Sequence, residues 1–147
     1  MEIIRDIISN KAIVIPIIAW FIAQLLKVID VIIKEKKLDF TRFISSGGMP
    51  SAHTSFIVSL TAVIGKNYGV ASGEFAISLA VALIVMYDAA GVRRAAGKQA
   101  EVLNKLIFSY NNDKIQFNEN LKELIGHTPF EVVIGAVLGG IIGIFFG

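Results

Sequence analysis

The sequence predicts an all-α fold, an integral membrane helical bundle with about four transmembrane segments. Hydrophobic residues fill 54% of the 147 positions and charged residues 18%, and the mean hydropathy is +0.68, a composition that excludes an ordinary water-soluble domain. The charges cluster in segments 1–11, 34–42 and 93–123, and long apolar runs lie between them. These runs are the predicted spans of a single membrane domain, residues 1–147.

Four apolar runs make up the predicted spans. A helix over residues 12–33 would be roughly 33 Å long, enough to cross a hydrocarbon core. A cleaved signal peptide is rejected there because Lys27 and Asp30 lie inside the run and no small-residue cleavage site follows it. The other predicted spans are 49–65, 75–92 and 129–146, and the last is rich in small residues that allow close helix packing.

Amphipathic segments lie outside these spans. Isoleucines at positions 3, 4, 7 and 8 recur at helical spacing opposite charged residues, which predicts a short interfacial helix or an extension of the first span. A second amphipathic helix is marked by Val102, Leu103, Leu106 and Ile107. A third follows the turn at 111–113 and is marked by Leu121, Leu124 and Ile125.

The basic residues predict how the bundle is oriented. Four spans put 34–42 and 93–128 on one side of the membrane, and the N-terminus, 65–74 and the C-terminus on the other. The first side carries ten basic residues: Lys34, Lys36, Lys37, Arg42, Arg93, Arg94, Lys98, Lys105, Lys114 and Lys122. The second carries three: Arg5, Lys11 and Lys66. The positive-inside rule therefore predicts a multi-pass protein of the cell (inner) membrane, with the amphipathic helices within 93–126 on the cytoplasmic side.

Composition also limits the partners. The chain has no cysteine, which excludes disulfides and thiolate metal sites. A net charge of +2 without a basic arm gives no indication of nucleic acid binding. No cofactor is expected, and no spacing of histidines and carboxylates is typical of a metal site. The glycine-rich last span offers a surface for a second copy, which predicts a homodimer or higher homo-oligomer.

The first histidine follows a pattern that starts a helix. His53 lies in Gly47-Gly48-Met49-Pro50-Ser51-Ala52-His53-Thr54, immediately before an apolar run. A helix that begins here offers unpaired N–H groups and the positive end of its dipole to a phosphate, and the Ser51 hydroxyl adds a donor. The alternative is that Ser51 only caps the helix and His53 is an interfacial residue.

The second histidine also precedes a span. His127 is followed by Thr128, Pro129 and, four residues on, Glu131. Thr128 as N-cap with Glu131 at the third helical position predicts a capping box, which needs no function. In the functional interpretation, Glu131 accepts a hydrogen bond from one imidazole nitrogen, fixes the tautomer and leaves the other nitrogen nucleophilic. Both roles can coexist.

Charged residues also lie within the apolar runs. Lys27 and Asp30 are in the first span, and Asp88 precedes Arg93 and Arg94 at the end of the third. A lysine or aspartate at a helix centre costs roughly 2.5–3.5 kcal/mol on insertion, so these groups are expected to face a polar interior. Lys27 either pairs with Asp30 or joins the two arginines in neutralising a phosphate, with Asp88 orienting an arginine.

Several strings carry a family resemblance. Pro50-Ser51-Ala52-His53 resembles the Pro-Ser-Gly-His motif of the type 2 phosphatidic acid phosphatase and vanadium haloperoxidase superfamily, and His127 with Glu131 resembles its third motif. More closely, GGMPSAHT, MYDAAGVRRAAGKQAEVLN and LKELIGHTPFEVVIGAVLGG are similar to strings of the divergent, acid-phosphatase/vanadium-haloperoxidase-related bacterial membrane family. The resemblance covers most of residues 20–143.

The resemblance implies a phosphohydrolase that needs no metal, in which one histidine attacks phosphorus and the other protonates the leaving oxygen. It implies that His127 is the nucleophile, that Glu131 orients it and that His53 is the general acid. It also implies that Ser51 and Lys27 hold the phosphate.

The chain departs from the superfamily pattern at several positions. Lys34-Glu35 stands where the superfamily has Arg-Pro after the lysine that Lys27 matches. The third-motif arginine falls at Leu121, Glu131 replaces the usual Asp, and four spans replace six. Positive partners for the phosphate are then expected among Arg93, Arg94 and Lys122.

These residues together predict a membrane-embedded phosphatase that acts on a lipid phosphate or pyrophosphate at the headgroup level through a histidine nucleophile. With the site facing the cytoplasm, phosphatidic acid or phosphatidylglycerophosphate of the inner leaflet is within its reach. The alternative is a non-catalytic phosphate- or lipid-binding membrane protein, a transporter or assembly factor that keeps the pocket without turnover.

Overall fold

The computed structural model describes residues 1–35, 48–110, 121 and 126–147. In this part of the chain the regular elements are all α-helices: α1 (Glu2–Ser9), α2 (Lys11–Glu35), α3 (Ala52–Tyr68), α4 (Gly73–Ala90), α5 (Val92–Tyr110) and α6 (Pro129–Phe146). Three helical stretches are long and apolar enough to cross a membrane: Lys11–Ile33, Gly73–Ile107 and Pro129–Phe146. The predicted all-α membrane bundle is confirmed.

The remaining predicted span, 49–65, corresponds to α3, which is the central helix. It begins after Ser51 at Ala52 and ends at Tyr68, and the C-cap Gly69 has a φ of 84°, in the left-handed region that favours glycine. Its 17 residues give a helix roughly 26 Å long. Within the described residues α3 packs against α2, α4 and α6, whereas the only helix that α5 contacts is α4.

The bundle buries many polar side chains and exposes many apolar ones, the reverse of the usual pattern in a soluble protein. Apolar side chains of α4 and α6 are exposed: Ile77, Leu83, Ile84, Val133, Ile141 and Phe145. Many buried side chains are polar: Gln24, Lys27, Ser51, Thr54, Ser55, Ser59, Thr61 and Ser78. A surface of this kind matches lipid, since only the interior can satisfy polar groups at membrane depth.

Helices α3 and α6 meet through a stripe of serines and a stripe of glycines. Gly135, Gly139 and Gly143 of α6 lie against the N-cap of α3, Ser51, and against Ser55 and Ser59 within that helix. A Cβ built on any of these glycines would come under 3.0 Å from atoms of α3. We call this packing the serine–glycine contact. It brings the two helices as close as their backbones allow.

Hydroxyl groups of α3 tie it to its other neighbours. Ser55 Oγ donates to the Ala19 carbonyl oxygen of α2 at 3.3 Å. Thr61 Oγ1 lies 2.9 Å from the Ile57 carbonyl oxygen of its own helix and 3.2 Å from that of Ser78 in α4. Interhelical hydrogen bonds of this kind hold membrane helices together where lipid offers no competing hydrogen bonds.

The glycine face of α6 is therefore occupied within the chain. The prediction of a homo-oligomer uses this face as the surface for a second copy. Since Gly135, Gly139 and Gly143 pack against α3, they are not available to another molecule. Oligomerisation stays a prediction, without the support of this face.

The amphipathic segments form separate helices where the structure describes them. α1 has no buried residue, and Asn10, in an extended conformation, separates it from α2. The isoleucine segment is therefore its own helix and not an extension of the first span. α5 carries Val102, Leu103 and Leu106 on its exposed surface. The marker residues Leu124 and Ile125 of the third predicted amphipathic helix lie outside the described residues.

We expect Gly139→Ala to lower the melting temperature of the purified protein in detergent. The added Cβ overlaps the Ser55 backbone, and overpacking of this kind costs about 1–3 kcal/mol. Gly140→Ala is the matched control, because the nearest atom to its Cβ, Val58 Cγ1, lies 3.9 Å away. That variant gains about 1 kcal/mol of helix propensity without a clash. Equal melting temperatures for the two variants would contradict the serine–glycine contact.

Candidate active site

Both histidines lie at the same end of the bundle, where α3 and α6 begin and α4 ends. His53 is in the first turn of α3, and His127 precedes α6 by two residues. They line a small cavity of about 110 Å³ together with four other residues: Val85, Asp88, Ala89 and Arg93. The structure thus brings together two imidazoles, a carboxylate and a guanidinium that are separated by up to 74 positions in the chain.

The imidazole of His127 is held by Glu131. His127 Nδ1 lies 2.9 Å from Glu131 Oε2, and the histidine side chain is almost fully buried. The other ring nitrogen, Nε2, is also buried and has no hydrogen-bond partner among the described residues. The Gly48 backbone lies close enough to raise the pKa of the ring, but it makes no hydrogen bond to Nε2. A carboxylate at Nδ1 favours the tautomer with its proton there, which leaves the lone pair on Nε2.

Glu131 also completes a helix cap. Its Oε2 accepts a hydrogen bond from the Thr128 N–H at 3.3 Å, and the Glu131 N–H donates to Thr128 Oγ1 at 3.3 Å. These reciprocal bonds form the capping box predicted for the start of α6. The same carboxylate oxygen serves both the cap and His127. The two interpretations of Glu131 coexist in one geometry.

The surroundings of His127 keep its ring neutral at neutral pH. Burial is the largest influence and lowers the pKa of the imidazole below its ordinary value of 6.5. The hydrogen bond with Glu131 opposes this effect and raises the pKa, whereas the positive charge of Lys27 lowers it. Because the net pKa is lowered, the ring loses its proton at a more acidic pH than a free histidine does. A neutral imidazole is the form that can act as a nucleophile.

The backbone around His127 is fixed by two contacts that sequence reasoning missed. The His127 N–H donates to the Ala89 carbonyl oxygen at 2.9 Å, which docks this segment onto the end of α4. Gly126 has a φ of 89°, and a Cβ built there would overlap the backbone of Arg93 and Arg94. Only glycine fits this position. The only sequence signal was a glycine directly before the histidine.

Ser51 lies beside the site but not in the lining of the cavity. The residue is fully buried, and its N–H donates to the Glu131 carbonyl oxygen at 3.2 Å. Its Oγ accepts from the Thr54 N–H at 3.4 Å and lies 2.9 Å from Thr54 Oγ1. The hydroxyl is thus engaged as the N-cap of α3, as the alternative interpretation of this residue expected.

The residues predicted to supply positive charge to the phosphate do not all lie at the cavity. Arg93 lines the cavity, and its Nε pairs with Asp88 Oδ2 at 2.5 Å; that Asp88 orients this arginine for a phosphate stays a prediction. Arg94 is half-buried and is not among the lining residues; its backbone packs against Gly126. Lys122 lies outside the described residues.

Lys27 supplies a second positive charge near the two histidines. The residue is 3% exposed although it lies in a predicted span. Its side chain runs past Gly48, and its charge acts on both histidines and on Glu131. Lys27 and Arg93 together make the neighbourhood of the cavity suitable for an anion, beside the N-terminus of α3.

We expect Glu131→Gln to lower the pKa of His127 further. Glutamine keeps an oxygen for the capping box and for His127, but it removes the negative charge that raises this pKa in the wild type. The titration is followed by NMR of protein labelled at its histidine rings. The chain has two histidines, so a His53→Gln variant assigns the signals.

Glu101→Gln is the control for this titration. Glu101 pairs with Lys105 on the exposed surface of α5 at 2.6 Å and does not line the cavity. Its replacement should leave the His127 titration unchanged. A His127 pKa that is equal in Glu131→Gln and in the wild type would contradict the pairing of His127 with Glu131.

Comparisons with known proteins identify the relatives of this chain. The sequence profile described as the divergent PAP2 family matches residues 8–142. The uncharacterized membrane protein YuiD of Bacillus subtilis (strain 168) is 37% identical over 145 residues, which covers 91% of this chain and 92% of that protein. No solved structure matches the chain. This multi-pass membrane protein belongs to the divergent PAP2 family.

Proposed function

We propose that this protein is a phosphatase that hydrolyses a lipid phosphate or pyrophosphate at the membrane surface. One observation carries the proposal. His127 has one ring nitrogen paired with a carboxylate at 2.9 Å and the other buried without a partner in the described part of the chain, next to a second histidine and an arginine. Nucleophilic catalysis by histidine needs an imidazole that a carboxylate holds in place and that keeps a free lone pair. Binding of the phosphate needs positive charge nearby.

In the first step, His127 Nε2 attacks phosphorus and forms an N–P bond. The bond between phosphorus and the ester oxygen of the lipid breaks, and His53, whose protonated form the bound phosphate dianion stabilises, donates a proton to that leaving oxygen. Arg93, held by Asp88, and Lys27 stabilise the negative charge on the phosphoryl oxygens. Glu131 stabilises the positive charge that develops on the His127 ring.

In the second step, water hydrolyses the phosphohistidine. His53, now neutral, accepts a proton from the water as its oxygen attacks phosphorus. The N–P bond breaks and returns its electron pair to His127 Nε2, and inorganic phosphate leaves. The two histidines are then in their starting protonation states, so the cycle is complete without an external reactant other than water.

The depth of the site favours substrates that remain in the bilayer. His53 and His127 both lie at the ends of helices, where lipid headgroups meet the hydrocarbon core. A site facing the cytoplasm has access to phosphatidic acid and phosphatidylglycerophosphate of the inner leaflet. These monoesters carry the terminal phosphate that the reaction requires.

Purified protein in mixed micelles is expected to release phosphate from phosphatidic acid, and His127→Ala to lower kcat by about a thousandfold or more because the nucleophile is lost. The melting temperature of the variant checks that it is folded. Equal release by wild type and His127→Ala would reject the nucleophile. If the protein binds vanadate but hydrolyses no lipid of a broad panel, the phosphatase proposal is rejected in favour of a non-catalytic phosphate- or lipid-binding protein.

The two arginines provide a matched pair in the same assay. Arg93 lines the cavity, whereas its neighbour Arg94 does not. Arg93→Ala should therefore lower kcat/KM for phosphatidic acid more strongly than Arg94→Ala does. The opposite order would assign the phosphate contact to Arg94.

Cysteine labelling tests the proposed orientation in the cell membrane. The natural chain has no cysteine, so single cysteines can be introduced at exposed positions near opposite ends of the bundle. Val70→Cys, in the turn between α3 and α4, should react with a membrane-impermeant maleimide in intact cells. Lys98→Cys, in α5, should react only after the membrane is permeabilised. The reverse pattern would put the active site on the outer side.

A further inference from the structure

An apolar groove lies directly beside the polar cavity. Its volume is about 410 Å³. Three helices contribute its lining: Ile17 and Trp20 from α2, His53, Phe56 and Ile57 from α3, and Val85 from α4. His53 and Val85 also line the polar cavity. The groove and the cavity therefore meet at these two side chains, and His53 is the ionisable residue of the groove lining.

The groove exists because of the way the helices pack. In the described part of the chain α2 and α4 each pack against α3, but the backbones of α2 and α4 do not approach each other. α6 contacts α2, α3 and α4 and so closes the opposite side of α3. A trough remains along α3 between α2 and α4, at the depth of the predicted hydrocarbon core. A trough of this kind is open to the bilayer at its side.

We propose that this groove binds the hydrocarbon chain of the substrate lipid while its phosphate occupies the polar cavity. The inference rests on the proposed phosphatase function and adds where the rest of the substrate lies. A lipid phosphate joins an apolar chain to a compact anion, and here an apolar groove joins a small cavity that is lined by Arg93. The shapes and charges of the two sites match the two parts of one molecule.

The junction also explains the different roles of the two histidines. The ester oxygen is the atom that connects the phosphate to the rest of the lipid. With the chain in the groove, this oxygen lies at the boundary between groove and cavity, where His53 is found. His127 lines the cavity but not the groove. The leaving oxygen therefore faces His53 and the opposite side of phosphorus faces His127, as in-line displacement requires.

The groove acts mainly by positioning the substrate. A chain that moves from lipid into an apolar groove exchanges one apolar environment for another, so little hydrophobic free energy is gained. What the groove provides is a fixed direction of approach for the phosphate, and misplacement of a reacting group is costly to the rate. A blocked groove should therefore impair long-chain substrates more than short ones.

The first test blocks the groove with Ile17→Trp. We expect kcat/KM for a phosphatidic acid with long chains to fall by about tenfold, while hydrolysis of a short-chain, water-soluble phosphate monoester stays at the wild-type rate. Ile18→Trp is the matched control: Ile18 is also exposed on α2 but does not line the groove. It should leave both rates unchanged. Equal effects of Ile17→Trp on both substrates, or none on either, would overturn the proposal.

A binding measurement keeps this inference separate from catalysis. Trp20 is the single tryptophan of the chain and lines the groove, so its fluorescence reports a quencher that binds there. Phosphatidic acid with brominated chains, in nanodiscs of unbrominated lipid, should quench it saturably. Phosphatidylcholine with the same chains should quench it less, and excess unbrominated phosphatidic acid should restore the signal.

The two measurements distinguish the possible failures. Saturable quenching by brominated phosphatidic acid without phosphate release would support the groove and reject the phosphatase. Phosphate release with equal quenching by both brominated lipids would support the phosphatase and reject the groove as the chain site.

Discussion

The serine–glycine contact between α3 and α6 is the constraint on which the remaining structure depends. Because Gly135, Gly139 and Gly143 have no side chains, the backbone of α6 approaches Ser51, Ser55 and Ser59 closely. The Ser51 N–H can then donate to the Glu131 carbonyl oxygen at 3.2 Å. The start of α3, which carries His53, is thereby fixed to the first turn of α6. A larger residue in the glycine stripe would separate the two helix starts.

Glu131 has two roles, because its carboxylate caps a helix and also orients a histidine. A helix start needs acceptors for its free N–H groups, and a buried imidazole needs a partner for one of its nitrogens. Glu131 Oε2 meets both needs through Thr128 and His127. Gly126 and the Ala89 carbonyl oxygen fix the backbone from the other side. The position of His127 is therefore determined by contacts with two helices rather than by its own side chain alone.

The site and the groove illustrate how a thin bundle can create two environments side by side. Charged groups gather at the helix ends, where Asp88 and Arg93 pair. A few residues deeper, Trp20, Phe56 and Ile57 line an apolar trough. A molecule with an anionic head and an apolar tail can contact both.

At the far end of the bundle a positive charge lies at a helix C-terminus. Lys66 Nζ donates to the Gly147 carbonyl oxygen at the end of α6 at 2.8 Å.

The sequence by itself determined the membrane class and the helical fold, and it indicated the two histidines as candidate site residues. Hydropathy and charge segregation depend on composition along the chain, and the capping box of Thr128 and Glu131 depends on residues three apart, so both can be predicted locally. Only the tertiary structure decided that Arg93 rather than Arg94 lines the cavity, and that the glycines of α6 pack inside the chain. Neighbouring arginines point in different directions, and a glycine stripe serves an internal or an external partner equally well. Those choices depend on how α3, α4 and α6 meet, which no local pattern specifies.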